Sequence, residues 1–132
     1  MRRIAWASAL LLAVLAGCGG SAGDLLAITA TGGLAGGKHQ VVVSGDGRGS
    51  CDRGPLKQLP SDRVIDAREI EHEVADLAKR APVYAPRPDA RSYTLNTKAG
   101  VVRWSEGDRG LPSVLPRTQL LELQLERILC KP

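Results

Sequence analysis

Leu25-Leu26-Ala27-Ile28-Thr29-Ala30-Thr31 and Lys38-His39-Gln40-Val41-Val42-Val43-Ser44 flank the link Gly32-Gly33-Leu34-Ala35-Gly36-Gly37. Both flanks follow a period of two, the signature of strands with one buried face. Leu26, Ile28 and Ala30 share the inward face of the first, and Val41 and Val43 that of the second. Gln40, Val42 and Ser44 point the other way. Paired glycines around a small apolar step suit a hairpin that needs positive φ or close backbone approach. The stretch therefore predicts an antiparallel β-hairpin.

Downstream, Ser44 to Ser50 reads as a turn-rich loop leading to Cys51. From Pro60 the period becomes helical, with Ile70, Val74, Leu77 and Ala78 on one stripe. Asp66 and Glu69 form an imperfect capping pair, and Ser61 offers an earlier start. Lys79 and Arg80 suit the C-terminus, and Pro82 ends the helix. Ala81 to Pro88, with Pro82, Pro86 and Pro88, is expected to be an extended, stiff loop. Alternation resumes over Arg91–Thr97, with Tyr93 and Leu95 inward. Lys98-Ala99-Gly100 turns the chain back into Val101–Ser105, with Val102 and Trp104 inward. Pro116 suits the start of a last helix. Leu121, Leu125, Ile128 and Leu129 form its stripe, Leu120 and Leu123 widen it, and Cys130 lies at its end. The order ββαββα predicts an α+β domain, an antiparallel sheet with two helices packed on one face.

Upstream of the hairpin, Met1-Arg2-Arg3 is basic and Ile4 to Val14 is apolar except for Ser8. That run is too short to span a bilayer and fits a secretory signal. Leu15-Ala16-Gly17-Cys18 resembles the lipobox of bacterial lipoproteins, in which the cysteine thiol takes a diacylglyceryl group and becomes the first mature residue. The other reading is a plain N-terminal anchor helix or an accidental cysteine. The resemblance implies a signal peptide over 1–17, an acylated N-terminus and tether over 18–24, and one domain over 25–130. The implied site is lipid attachment at Cys18, including palmitate-type acylation. The implied location is the exported side of a bacterial cell-envelope membrane. Gly19, where lipoproteins of the enterobacterial type carry an Asp to stay in the inner membrane, implies no such retention.

Removing residues 1–17 leaves 115 of the 132 residues, enough for one small domain. Taking Arg2 and Arg3 from the 18 basic residues leaves 16 against 14 acidic, a net of +2. No basic cluster interleaved with aromatics supports nucleic-acid binding. Tyr84, Tyr93 and Trp104 are the only mature aromatics, so the core is aliphatic and a covalent staple would help it. If lipidation consumes Cys18, Cys51 and Cys130 remain as a pair. An oxidising compartment favours their disulfide over two free buried thiols or an intermolecular bridge.

Chemistry-bearing motifs are few. Glu69, His72 and Asp76 share a helix face, but such spacing reads more simply as i,i+4 pairs on a charged surface, and no metal site or cofactor is expected. The glycines at 45–49 lack the Lys-Ser/Thr of a phosphate loop. No serine stands in a nucleophile-elbow context, so an enzyme is not expected. The two rigid loops are better placed to bind a partner, because stiff loops lose little entropy on docking. Candidate contacts are Gly33, Leu34, Ala35 and Gly36 in the first, and Tyr84 and Arg87 in the second.

Several motifs together resemble the emfourin family, small proteins associated with protealysin-like metalloproteases. They are Gly32-Gly33-Leu34-Ala35-Gly36 after a strand, a helix over Ala67–Arg80 running into Ala85-Pro86-Arg87-Pro88-Asp89, Tyr93-Thr94-Leu95, Leu111-Pro112 and a final leucine-rich helix. The resemblance spans about residues 25–129. It implies a compact α+β domain that inhibits thermolysin-like (M4) zinc peptidases. With the lipobox, the expected partner is an envelope or secreted metalloprotease, and the domain is expected to be monomeric. The lipobox and the enlarged Ser44–Pro55 segment depart from the family pattern. A lipoprotein binding or assembly module without inhibitory activity is the alternative.

Overall fold

A computed structural model describes residues 23–33, 36–84 and 87–131. The elements are β1 (Asp24–Gly32), β2 (Lys38–Ser44), β3 (Arg48–Cys51), β4 (Lys57–Gln58), α1 (Ser61–Arg80), β5 (Arg91–Thr97), β6 (Gly100–Ser105) and α2 (Val114–Leu129). One antiparallel sheet runs in the order β4-β3-β2-β1-β5-β6. The α+β class and the ββαββα backbone of the expectation hold, with β3 and β4 added after β2.

The period-two runs put their apolar residues where expected. Leu26, Ile28, Ala30, Val41, Val43, Tyr93, Leu95, Val102 and Trp104 are all buried. Tyr93 and Trp104 are cross-strand partners, and their rings stack at 5.5 Å. Ser44, read as outward-facing, is buried because its hydroxyl sits between the Asp46 carboxylate and the Arg48 carbonyl oxygen. Arg48 in turn holds the Asp46 carboxyl down to about 2.

The loop expected after Ser44 is in part a strand. Gly49 carries no turn; it gives the last helix room to approach. A Cβ there would lie 2.9 Å from a Leu129 methyl and 3.0 Å from a Leu59 methyl. Small residues that look like turn chemistry are here the floor beneath a helix end.

Helix α1 starts at Ser61, the earlier of the two expected starts. The Pro60 carbonyl accepts from the N–H groups of Arg63 and Val64, and Asp66 lies inside the helix, 3.0 Å from Arg63. Its buried stripe is Ala67, Ile70, Val74, Leu77 and Ala78. It stops at Ala81, which takes φ 45° just before Pro82. Gly100 admits this helix end closely, since a Cβ there would stand 2.5 Å from the Ala78 carbonyl oxygen. Beyond Pro82, Val83 forms a parallel bridge to Arg103 of β6.

Helix α2 starts two residues before Pro116, which still falls within its first turn. Leu121, Leu125 and Leu129 are buried, but Leu120, Leu123 and Ile128, expected on the same stripe, are exposed. At about 100° per residue, Leu120 and Leu123 fall outside the arc that contains Leu121, Leu125 and Leu129. Glu122 falls just past Leu129, between it and the buried Leu115, and is buried in place of Leu120 and Leu123. Ile128 lies just outside the arc on its other side, beyond Leu121, and is exposed.

The Cys51 and Cys130 sulfurs lie at disulfide distance, 2.00 Å, with their Cα atoms 5.2 Å apart. The link joins β3 to the end of α2 across 79 residues of sequence. Closing a loop of that length contributes about 4–5 kcal/mol on the chain-entropy estimate. Reduction, or Cys130→Ser, is accordingly expected to lower the free energy of unfolding by about 2–5 kcal/mol. Urea denaturation with and without a dithiol reductant measures this, and an unchanged midpoint would contradict it.

Candidate functional site

The strand register brings several loops to one end of the sheet. Thr31 faces Lys38, Gly32 faces Arg91, and Ser92 faces Ser105. The 32–37 hairpin closes there through Gly32 N–H to the Gly37 carbonyl and Gly36 N–H to the Gly33 carbonyl, both at 3.1 Å. Gly33 presses on the start of β5, where a Cβ would come within 3.1 Å of the Arg91 Cβ. Its φ of +72° also disfavours any side chain.

Arg87 is tied to the same end. Its N–H donates to Ser105 Oγ at 3.3 Å, and its guanidinium to the Gly107 carbonyl at 3.0 Å. The structure thus brings Gly33, Gly36 and Arg87 together at one sheet end. Tyr84 lies elsewhere: it is half-buried beside the β6 edge, in a groove it shares with Val83, Val101 and Arg103. Leu34 and Ala35 fall outside the described residues, as does Cys18.

Next to this end, between the start of β5 and helix α2, lies an open pocket of about 460 Å³. Its charged groups are Arg91 of β5, Glu106 after β6, and Glu122 and Glu126 of α2. The Glu106 N–H donates to the Arg91 carbonyl at 2.8 Å, which fixes the first corner. The rotation of α2 that buries its leucines carries Glu122 inward, and Glu126 follows one turn on. Arg91 Nη2 stands 3.8 Å from Glu122 Oε1 and 3.7 Å from Glu126 Oε2, close enough for attraction but beyond hydrogen-bond length.

Burial pushes the Glu122 carboxyl above its ordinary value; Arg91 opposes this and Glu126 adds to it. Burial likewise raises the Tyr93 phenol, which lines the same pocket. Glu126 also faces His39, whose Nε2 is 3.9 Å away, while His39 Nδ1 meets Asp52 at 3.0 Å. A backbone hydrogen bond from Gln40 and the contact with His39 hold the Asp52 carboxyl below the usual range.

His39 and the sulfurs of Cys51 and Cys130 lie within 4.8 Å of one another. With those sulfurs at disulfide distance, they carry no thiolate charge for a cation. The face weighed in sequence behaves as a charged surface: Glu69 pairs with Arg117 at 3.2 Å, and His72 and Asp76 are exposed.

Arg91, Glu106, Glu122 and Glu126 were not among the sequence candidates. Glu122 had a visible signal, a lone acid one residue from Leu121 and three from Leu125, at the edge of the apolar arc. The other three meet it only through strand pairing and helix docking.

A carboxyl raised in the fold holds its proton more tightly there than in the unfolded chain. The stability this lends is complete below the ordinary value of about 4.5 and is lost as pH rises through the folded-state value. Glu122→Gln keeps the neutral shape at every pH. It is therefore expected to be more stable than the native protein at pH 7, with the advantage fading as pH falls below about 4.5. Urea denaturation at the two pH values checks this, and a gap that does not change with pH would contradict it. No family model, curated protein or solved structure matches this chain, so its function is argued from this geometry and from the sequence.

Proposed function

We propose that the chain is a lipoprotein of the bacterial cell envelope, acylated at Cys18, whose domain binds and inhibits a thermolysin-like metalloprotease. The observation that carries this reading is the course of β1. The strand enters the domain at Asp24, next to the tether, and delivers the glycine hairpin at its far end, Gly32, eight residues later. At about 3.3 Å per residue, the hairpin stands roughly 27 Å from the point of entry. An anchored domain would then carry the hairpin and the Arg87 loop away from the bilayer, where a soluble protease can reach them.

Both loops are pinned at their bases, the hairpin by its own hydrogen bonds and the 87–90 segment by Ser105 and Gly107. Binding would cost them little ordering entropy. A rigid loop entering a zinc cleft blocks it without catalytic groups of its own. The α+β class is the one implied by the emfourin resemblance, which supports the protease reading. Among the described residues no helix is long and apolar enough to cross a membrane, so attachment in this reading falls to the acyl chains. At about 0.8 kcal/mol per buried methylene, more than one chain holds the protein firmly. The alternative, a binding or assembly module with no inhibitory role, draws support from the acidic pocket, whose lining includes none of the candidate loop residues.

Mass spectrometry of the mature N-terminus is expected to find acylation at Cys18, and Cys18→Ser to move the protein out of the membrane fraction. An unmodified Cys18 would remove the anchor. The full chain in detergent is expected to inhibit a thermolysin-like protease at micromolar concentration. Gly33→Val, which forces a side chain against Arg91, is expected to weaken inhibition about tenfold or more, roughly 1.4 kcal/mol. Protease activity unaffected by the native chain would leave the binding-module reading in its place.

A further inference from the structure

We propose that the pocket between helix α2 and the start of β5 binds an ammonium or guanidinium group carried on an apolar stem. The argument begins with Glu122, which is only 1 % exposed and whose Oε1 has no hydrogen-bond partner. A buried carboxylate oxygen without a donor is costly, and native proteins rarely leave one so. The cation nearest to it, Arg91, stands 3.8 Å away and is shared with Glu126. It satisfies neither carboxylate by hydrogen bonding.

The balance of charge selects the sign of the ligand. Glu106, Glu122 and Glu126 face one guanidinium across the pocket, so the lining is short of positive charge. An N–H donor entering beside Glu122 would supply the missing hydrogen bond and a charge-assisted one at that. A carboxylate or phosphate would meet Arg91 only alongside these acids.

The walls select the rest of the ligand. Leu120 and Leu123, 56 % and 45 % exposed, stand on the lip, and the Tyr93 ring lines the same pocket. A hard metal ion requires a shell of oxygens and gains nothing from such walls. An alkyl stem lying on the leucines, with its charged head reaching in to Glu122, uses both. A volume of about 460 Å³ accommodates a lysine-sized group. Either a free alkylamine or a basic side chain of a protein partner provides this chemistry. The site does not depend on the protease reading.

The test uses the full chain in detergent micelles with methyl-labelled leucine, titrated with n-pentylamine, n-pentanol, pentanoate and Nα-acetyl-lysine methylamide. Saturable shifts of the Leu120 and Leu123 methyl signals are expected with the two amines, at least tenfold more weakly with the alcohol, and not with pentanoate. The tighter of the two amines identifies the source, a free amine if pentylamine and a protein side chain if the lysine derivative. Glu122→Gln, which preserves shape, is expected to cost at least tenfold in amine affinity. Leu123→Ala, on the exposed lip, is expected to weaken both amines several-fold while the rest of the spectrum stays native. Equal binding of pentanol, preferential binding of pentanoate, or amine affinity unchanged in Glu122→Gln would overturn the proposal.

Discussion

Helix α2 satisfies two demands at once, and its rotation about its own axis follows from them. Leu121, Leu125 and Leu129 must lie on the sheet, and Cys130 must reach Cys51 on β3. Meeting both leaves Leu120 and Leu123 facing water and brings Glu122 into the interior. The apolar contacts of the three leucines outweigh the burial of one carboxyl, since a fully buried leucine is worth about 1.5–3 kcal/mol. The acid is carried in by its neighbours, and the pocket exists because of it.

The sheet transmits that arrangement to the loops. Antiparallel pairing places Arg91 opposite Gly32, so the residue that faces the acids of α2 also lies against the hairpin. Arg91 thus joins two features with separate proposed roles, a hairpin hydrogen-bonded at its base and proposed to meet a protein partner, and a pocket proposed to take an organic cation. Ser105 and Gly107, which hold Arg87, flank Glu106 at the pocket's edge. One end of the domain collects nearly everything with a claim to function, and the chain enters at the other.

Much of the fold was legible because alternation and helical spacing are local properties. The inward residues of β1, β2, β5 and β6 and the stripe of α1 came directly from periodicity. The errors have a common cause. Gly49 looked like a turn residue because glycine serves both turns and close packing, and only the methyl of Leu129 decides between them. The leucines of α2 looked like one wide stripe because leucine is a strong helix former on either face. Tyr84 looked like a loop tip but packs partly against the core beside an edge strand. Of the pocket's charged groups, only Glu122 left a trace in the sequence.

The amino-acid sequence by itself determined the element order, the strands' buried faces, and the basic, apolar, small-residue approach to Cys18 on which the proposed anchor rests. Each depends on residues within a few positions of one another. The cysteine count also pointed to the pairing of Cys51 with Cys130, which the fold brings to disulfide distance. The tertiary structure alone decided that β3 extends the sheet and that Arg91, Glu106, Glu122 and Glu126 share a pocket. Those outcomes depend on how strands pair and how a helix turns to bury its apolar arc. The pocket joins segments far apart in the chain, where local spacing carries no information, and β3 is hidden because its glycine and serine show no apolar alternation.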